Sequence, residues 1–169
     1  MQSWRETRAA ITADRKRFSA YFGPREPLYL QPGFVAAVLY RLTHYLFCHR
    51  WRRLAGLLHL VSRLLTAADL DPAASIGPGL VIPNPQAVIV RGTIGRDCTL
   101  MALATVGTPA PGDTAGPELG DEVVLESAAL VVGAIRVGHR VRIGPRCLVT
   151  EDVPDGVEVL PLGWRRVRL

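Results

Sequence analysis

The sequence predicts a mainly β chain: a parallel β-helix of about four coils, preceded by a short α-helical region. Two observations carry this. From residue 70 onward an aliphatic residue recurs every six positions, at Leu70, Ile76, Ile82, Val88, Ile94, Leu100 and Val106. After an interruption it resumes at Leu119, Leu125, Val131, Val137, Ile143 and Val149. Neither a helical period nor simple alternation gives a period of six. Second, the composition changes near Asp69, with helical patterning upstream and the repeat downstream.

Upstream, Trp4 to Phe18 reads as a polar amphipathic helix, ended by Gly23, Pro24 and Pro27. Pro32-Gly33 opens a second helix, apolar nearly all round, to about His49. Leu54 to Leu65 forms a third. A chain this short cannot bury such helices alone, so they are expected against neighbouring subunits. A membrane-surface role for these basic helices is the alternative.

Downstream, each hexad forms one side of a triangular coil with its aliphatic residue inward. Coils are stabilised by stacking on their neighbours. Glycine after the inward residue, as in Ile76-Gly77, Ile94-Gly95, Val137-Gly138 and Ile143-Gly144, is expected to relieve tight corners. Cys98 and Cys147 each fall four positions after an inward residue, a small-residue slot, so packing is their expected role. Cys48, on an apolar helix, reads the same way. The interruption Gly107 to Glu118 reads GTPAPGDTAGPE, an irregular excursion expected to line a site. The division is therefore a helical oligomerisation region at 1–68, then a β-helix at 69–169 with a loop at 107–118 and a C-terminal tail.

Composition narrows the function. The chain has 169 residues, 49% of them hydrophobic and 21% charged, which excludes a disordered tail protein. Three cysteines with no C-x-x-C give neither a disulfide framework nor a zinc ribbon. Polar residues throughout the first thirty positions argue against a secretory signal. The longest apolar stretch, Gly33 to Cys48, is broken by Arg41 and His44 and falls short of the ~20 residues of a membrane span. The expected compartment is the cytoplasm. Net charge is +5: residues 1–68 hold eleven Lys/Arg against three acids, and residues 69–169 hold nine against twelve. The arginines are scattered and no nucleic-acid motif accompanies them, so no nucleic-acid partner is expected.

The residues resemble the serine O-acetyltransferases, within the hexapeptide acyltransferases. LYLQPGF (28–34) leading to YRLTHYL (40–46) is similar to the family's helical lead-in. DLDPAASIGPGL (69–80) resembles its opening coil, and RIGPRCLVTEDVPDG (142–156) its closing coil. The resemblance implies a left-handed β-helix, a homotrimer, acetyl-CoA or another acyl-CoA as co-substrate, and an amino-acid hydroxyl as acceptor. It also implies a histidine base, oriented by an acid, that deprotonates the hydroxyl as it attacks the thioester. The position implied for that base holds Asn84, preceded by Pro83 where an acid contacting the amino acid is usual. The positions implied for an arginine and a second histidine hold Ala115 and Gly116. Asp69 matches the orienting acid, with nothing evident to orient. For a further acid in the helical region the nearby candidates are Asp14 and Glu26. On the donor side Glu126 and Ser127 stand where small residues are usual. The six-residue register is expected to run unbroken between Asn84 and Gly107.

The candidates are then Asp69, Asn84 and Glu126 for catalysis; Asp71, Gly107 and Glu118 for the acceptor; and Ser127, Ala128, Arg165 and Arg166 for CoA, the arginines toward its phosphates or simply decorating the terminus. No metal is expected, because no two histidines have ligand spacing with an acid. His44 reads as a satisfied structural group. His49 and His59 have no partner in view, and His139 is a coil-corner residue. Three readings compete: an acyltransferase of serine acetyltransferase type with altered chemistry and an acceptor that need not be serine; a catalytically inactive scaffold or regulatory partner in a hetero-complex; and a different reaction on the same scaffold. Burial of the helices against neighbouring subunits predicts the mass in solution. Light scattering should give the mass of three chains, and a well-folded monomer would contradict it.

Overall fold

The computed structural model describes residues 3–107, 116–161 and 163–166, the last four by backbone alone. Three helices come first: α1 (Trp4–Phe22), α2 (Pro32–Cys48) and α3 (Arg52–Thr66). α1 starts at a capping box in which Ser3 and Glu6 exchange side-chain and backbone hydrogen bonds, satisfying two otherwise orphaned N–H groups. It runs four residues beyond the expected Phe18, to within one residue of Gly23. Proline at its first position starts α2.

From Asp69 the chain winds through short parallel strands on three faces. The first face stacks Asp69–Leu70, Ile89–Val90, Thr105–Gly107, Leu130–Val132 and Leu148–Val149. The second stacks Ser75–Ile76, Thr93–Ile94, Glu118–Leu119 and Arg136–Val137, extended by a bridge to Val153. The third stacks a bridge at Val81 on Thr99–Leu100, Val124–Leu125, Arg142–Ile143 and Val157–Leu160. Gly163–Arg166 returns antiparallel along the last of these. The four expected coils are present, and the segment from Leu148 to Leu160 adds a shorter fifth. All thirteen aliphatic positions of the repeat are buried. Cys98 and Cys147 are buried beside them, and burial pushes the Cys98 thiol up to about 11.

Two expectations need correction. The register is not unbroken after Asn84. Leu70 pairs with Val90 and Val90 with Val106, spacings of 20 and 16 where 18 was expected. Val88 is buried at the corner and Val90 takes the strand position. The extra residues form a bulge through Pro83, Pro85 and Ala87, the last in the left-handed region at φ 51°. Prolines cannot donate to the ladder and fix φ, so they favour a corner over a strand. Buried valines at both 88 and 90 hid the slip. The glycines have a different role from the one expected. Left-handed corner positions are held by Asp97, Leu103, Glu122, Ala128, Arg140 and Arg146. Gly77, Gly95, Gly120 and Gly138 instead stack on the second face. A Cβ on any of them would come within 2.5–2.8 Å of backbone in the next coil.

The helices dock on the first coil through buried polar groups. Asp14 of α1 and Arg41 of α2 form a bidentate pair, at 2.9 and 3.0 Å, with side chains 0% and 2% exposed. Asp14 Oδ1 also accepts the backbone N–H of Gly79 and of Leu80, each at 2.8 Å. Arg41 donates to the carbonyls of Ile76 and Gly77. Arg17 adds bonds to the carbonyls of Gly79 and Cys98. The Tyr40 hydroxyl donates to Ala74 O at 2.6 Å, and burial raises its pKa. α3 is different: Leu57, Leu60, Leu64 and Leu65 are exposed on the single chain, Leu64 by 77%.

Removing one member of a buried pair leaves the other charged, desolvated and unpartnered, at a cost of ~3–5 kcal/mol. Asp14→Ala should therefore lower the melting temperature by on the order of 10 °C at fixed protein concentration. A shift below about 2 °C by calorimetry would show that the clamp does not hold the helices.

Candidate active site

Asp69 leads the first strand, with its side chain 16% exposed. α3 ends at Ala67, left-handed at φ 58°, and the chain doubles back so that Asp69 lies beside the helix it has just left. His59 and Arg63, four residues apart on α3, share the face that meets it. His59 Nε2 lies 3.1 Å from Asp69 Oδ1, and Arg63 Nε 4.0 Å from the same oxygen. On the other oxygen, Arg91 Nη2 donates at 3.2 Å. Arg91 reaches it because Ile89 is the ladder partner of Asp69 and residues two apart on a strand face the same way. The expectation that Asp69 has nothing to orient is overturned, as is the expectation that His59 lacks a partner.

The excursion of the repeat is rooted at this cluster. The Arg91 N–H donates to Val106 O at 2.7 Å, one residue before Gly107, where the chain departs. On its return, Pro117 O accepts from Thr93 N at 2.9 Å. A Cβ on Gly116 would collide with the Arg91 carbonyl oxygen and come within 3.1 Å of Gly92 Cα. The middle of the excursion, residues 108–115, lies outside the described residues.

The other candidates do not join Asp69 within one chain. Asn84 is exposed between two prolines, and its Oδ1 accepts from Gln86 N at 3.2 Å, a local turn bond. Asp71 likewise caps its own turn, accepting from Ala73 N at 2.7 Å. Gly107 is buried in its strand. Glu118 sits on the second face, 3.3 Å from Arg136. Glu126 sits on the third, ion-paired with Arg142 of the next coil. Ser127 and Ala128 turn the corner after it, and Ala128 N donates to Ala102 O at 2.9 Å. Arg165 and Arg166 lie on the antiparallel strand opposite Glu158 and Val157; their side chains lie outside the described residues. Asp14 is consumed by the clamp, and Glu26 is exposed.

The remaining histidines bond to backbone groups. His44 Nδ1 meets Pro72 O at 2.9 Å, His49 Nδ1 meets Tyr45 O at 2.8 Å, and His139 Nδ1 accepts from Asp121 N at 3.0 Å. His139 lines an open groove of about 520 Å³ on the second face with Glu118, Arg136, Asp152 and Asp155. There Asp152 and Asp155 accept the backbone N–H groups of Arg136 and His139. Among the described residues no three His, Cys, Asp or Glu side chains gather as a metal-holding group.

A serine acetyltransferase of Helicobacter pylori (strain J99) is 39% identical over 136 residues, 78% of each chain. The chain belongs to the serine acetyltransferase family. No protein-family model matches it. The soybean serine acetyltransferase apoenzyme superposes with a TM-score of 0.88 at 28% identity, covering 96% of this chain and 69% of that one. A serine acetyltransferase in complex with CoA gives 0.83 at 25% identity, covering 98% and 71%. The left-handed parallel β-helix is thereby shown. The chain spans 78% of the length of that Helicobacter pylori relative and 49% of the length of a serine acetyltransferase of Haemophilus influenzae.

Sequence reasoning missed His59, Arg63 and Arg91 of this family member. The 20-residue first coil is the signal that would have found Arg91, because it sets Ile89 against Asp69. His59 lies on a helix with no motif around it. Of the two positions that the resemblance assigns to histidine, Gly116 has no room for any side chain. Asn84→His alone should therefore leave serine-dependent CoA release at the level of the parent chain, and efficient turnover by that variant would contradict this account of the site.

Proposed function

We propose that the chain is an acyltransferase that takes acetyl-CoA or another acyl-CoA as donor and an acceptor that need not be serine. The observation that carries this is the Asp69 cluster: the orienting acid is kept, ion-paired, and set at the root of the excursion. Acyl transfer needs a group that removes the acceptor's proton as it attacks the thioester, and a carboxylate–histidine contact is the usual arrangement for one.

The acceptor side supports a change of substrate. An amino-acid ammonium wants a carboxylate beside it. Position 83 is proline, Asp14 is buried in the clamp, and Arg63 and Arg91 surround Asp69 with positive charge. On the donor side, Ser127 and Ala128 form a small-residue corner against Ala102. Glu126 next to them is neutralised by Arg142 and so is neither a free base nor a lone repelling charge. Arg165 and Arg166 supply guanidiniums for the phosphates of the nucleotide. Exposed leucines on α3 support a homotrimer, in which faces of neighbouring chains complete the site from groups that lie apart on one chain. No described helix is long and apolar enough to cross a membrane, and a cytoplasmic location, where acyl-CoA is made, fits the reading.

The second reading is the inactive scaffold in a hetero-complex, favoured by Asn84 bonding only to its own turn and by the closed space at Gly116. Ligand binding separates the two. Ligand at ~100 times its dissociation constant stabilises by ~2.7 kcal/mol, a rise of ~5–10 °C for a chain of this size. Acetyl-CoA and CoA should both give such a rise. A melting temperature unmoved by either would overturn the acyltransferase in favour of the scaffold.

A further inference from the structure

We propose that His59 is the general base, brought to Asp69 from α3 in place of a histidine on the β-helix. This rests on the acyltransferase reading and deepens it. Three observations lead to His59. Its Nε2 faces Asp69 Oδ1 at 3.1 Å, and Arg91 holds the other carboxylate oxygen at 3.2 Å, so the acid is fixed from both sides. The contact is an ion-pair distance without hydrogen-bond alignment; an ionised carboxylate only accepts, so it favours the form with the hydrogen on Nε2 and the lone pair on Nδ1. Among the described residues Nδ1 of His59 has no hydrogen-bond partner, whereas Nδ1 of His44, His49 and His139 each meets a backbone group. Third, the imidazole is 20% exposed, and the chain leaves for its excursion and returns from it beside Arg91. The imidazole is thus reachable from solvent.

The step balances. Nδ1 takes the proton of the acceptor's hydroxyl or amine as its oxygen or nitrogen bonds to the thioester carbon. The tetrahedral intermediate collapses, the carbon–sulfur bond breaks, and the departing thiolate recovers the proton from Nδ1. The products are the acylated acceptor and CoA with a free thiol. Asp69 stabilises the imidazolium between the two halves of the step. The charged groups around His59 are Arg63 on its own helix, Asp69 on the first strand and Arg91 beyond the second. α2, packed along α3, contributes Arg41 and His44, which are bonded to Asp14 and to Pro72 O.

A purely structural His59, tying α3 to the first coil, is the competing role, and His59→Gln separates them because glutamine keeps a donor and cannot titrate. The assay is CoA release from acetyl-CoA with a panel of amines and hydroxyl compounds, and with water alone. His59→Gln should lose about 10²–10⁴-fold in kcat and lose the acid limb of the pH–rate profile. It should keep its melting temperature and its stabilisation by CoA. Full turnover with an unchanged pH profile would overturn the proposal while leaving the acyltransferase reading standing. Absent stabilisation of the parent chain by acetyl-CoA or CoA would remove both. Binding without any consumption of the thioester would remove His59 as a base. A readout independent of turnover, and of whether the variant folds, is the ¹⁵N-imidazole spectrum of the parent chain. His59 should be the Nε2–H tautomer when neutral, with its Nδ1 resonance moved by added acetyl-CoA. A neutral Nδ1–H tautomer, or a resonance unmoved by bound acetyl-CoA, would overturn the proposal.

Discussion

The bidentate pair between Asp14 and Arg41 is the constraint on which the remainder rests. A buried ion pair is weak support for stability by itself, because desolvation offsets most of the Coulombic gain. This one is different in connectivity. Both charges also bond backbone of the first coil: Asp14 to the N–H groups of Gly79 and Leu80, Arg41 to the carbonyls of Ile76 and Gly77. Those groups lie where the coil turns from its second face to its third. The pair thus registers two helices against one turn of the β-helix with no freedom to slide. α3 packs along α2, so the clamp also sets where α3 runs, and with it the placement of His59 over Asp69.

The β-helix contributes in a complementary way. Each coil touches only its neighbours, so errors of register stay local. The glycine ladder of the second face demands close approach there, and the thirteen aliphatic residues fill the interior. Against that regularity the bulge at Pro83–Ala87 stands out. It adds two residues to the first coil, and the short run from Val90 to Ile94 takes two back. The result brings Arg91 beside Asp69. A coil of 18 residues would set Asp69 against Ala87 and move Arg91 away. The irregularity at the first corner is thus what assembles the polar cluster.

How much of this was legible in the sequence follows from the range of each interaction. The hexad period is a local signal repeated thirteen times, and each of those thirteen residues is buried in the core. Helix ends were legible from Pro32 and Gly23. The bulge was not, because Val88 and Val90 are both apolar and both buried, so the six-residue frame passed through it without a fault. Asp69 could be named from the opening segment that resembles its family. His59 could not, since an isolated histidine on an arginine-rich helix carries no period and no motif. Its role depends on the angle at which α3 leaves through Ala67, a left-handed alanine that nothing in the composition announces. Asp14 shows the reverse error. It was a reasonable candidate for the acceptor by position, and three-dimensional packing assigns it wholly to the fold.

That assignment has a chemical consequence. An acid with Arg41 on both of its oxygens and two backbone N–H groups on one of them has no capacity left for an ammonium. Proline at 83 supplies none either. Around Asp69, Arg63 and Arg91 outweigh the single carboxylate, and an imidazole adds no negative charge. Both guanidiniums are more than half exposed and so are screened by water, and the excess of positive charge disfavours, without forbidding, an ammonium beside this cluster. On the proposed reading the same field would favour an acceptor with an anionic group and lower the cost of the oxyanion that forms when the thioester is attacked. Under the proposed function, loss of the amino-acid subsite and retention of an acyl-transfer centre would be two results of one redistribution of charge: Asp14 goes to the fold, and Asp69 is shared between a histidine and two arginines.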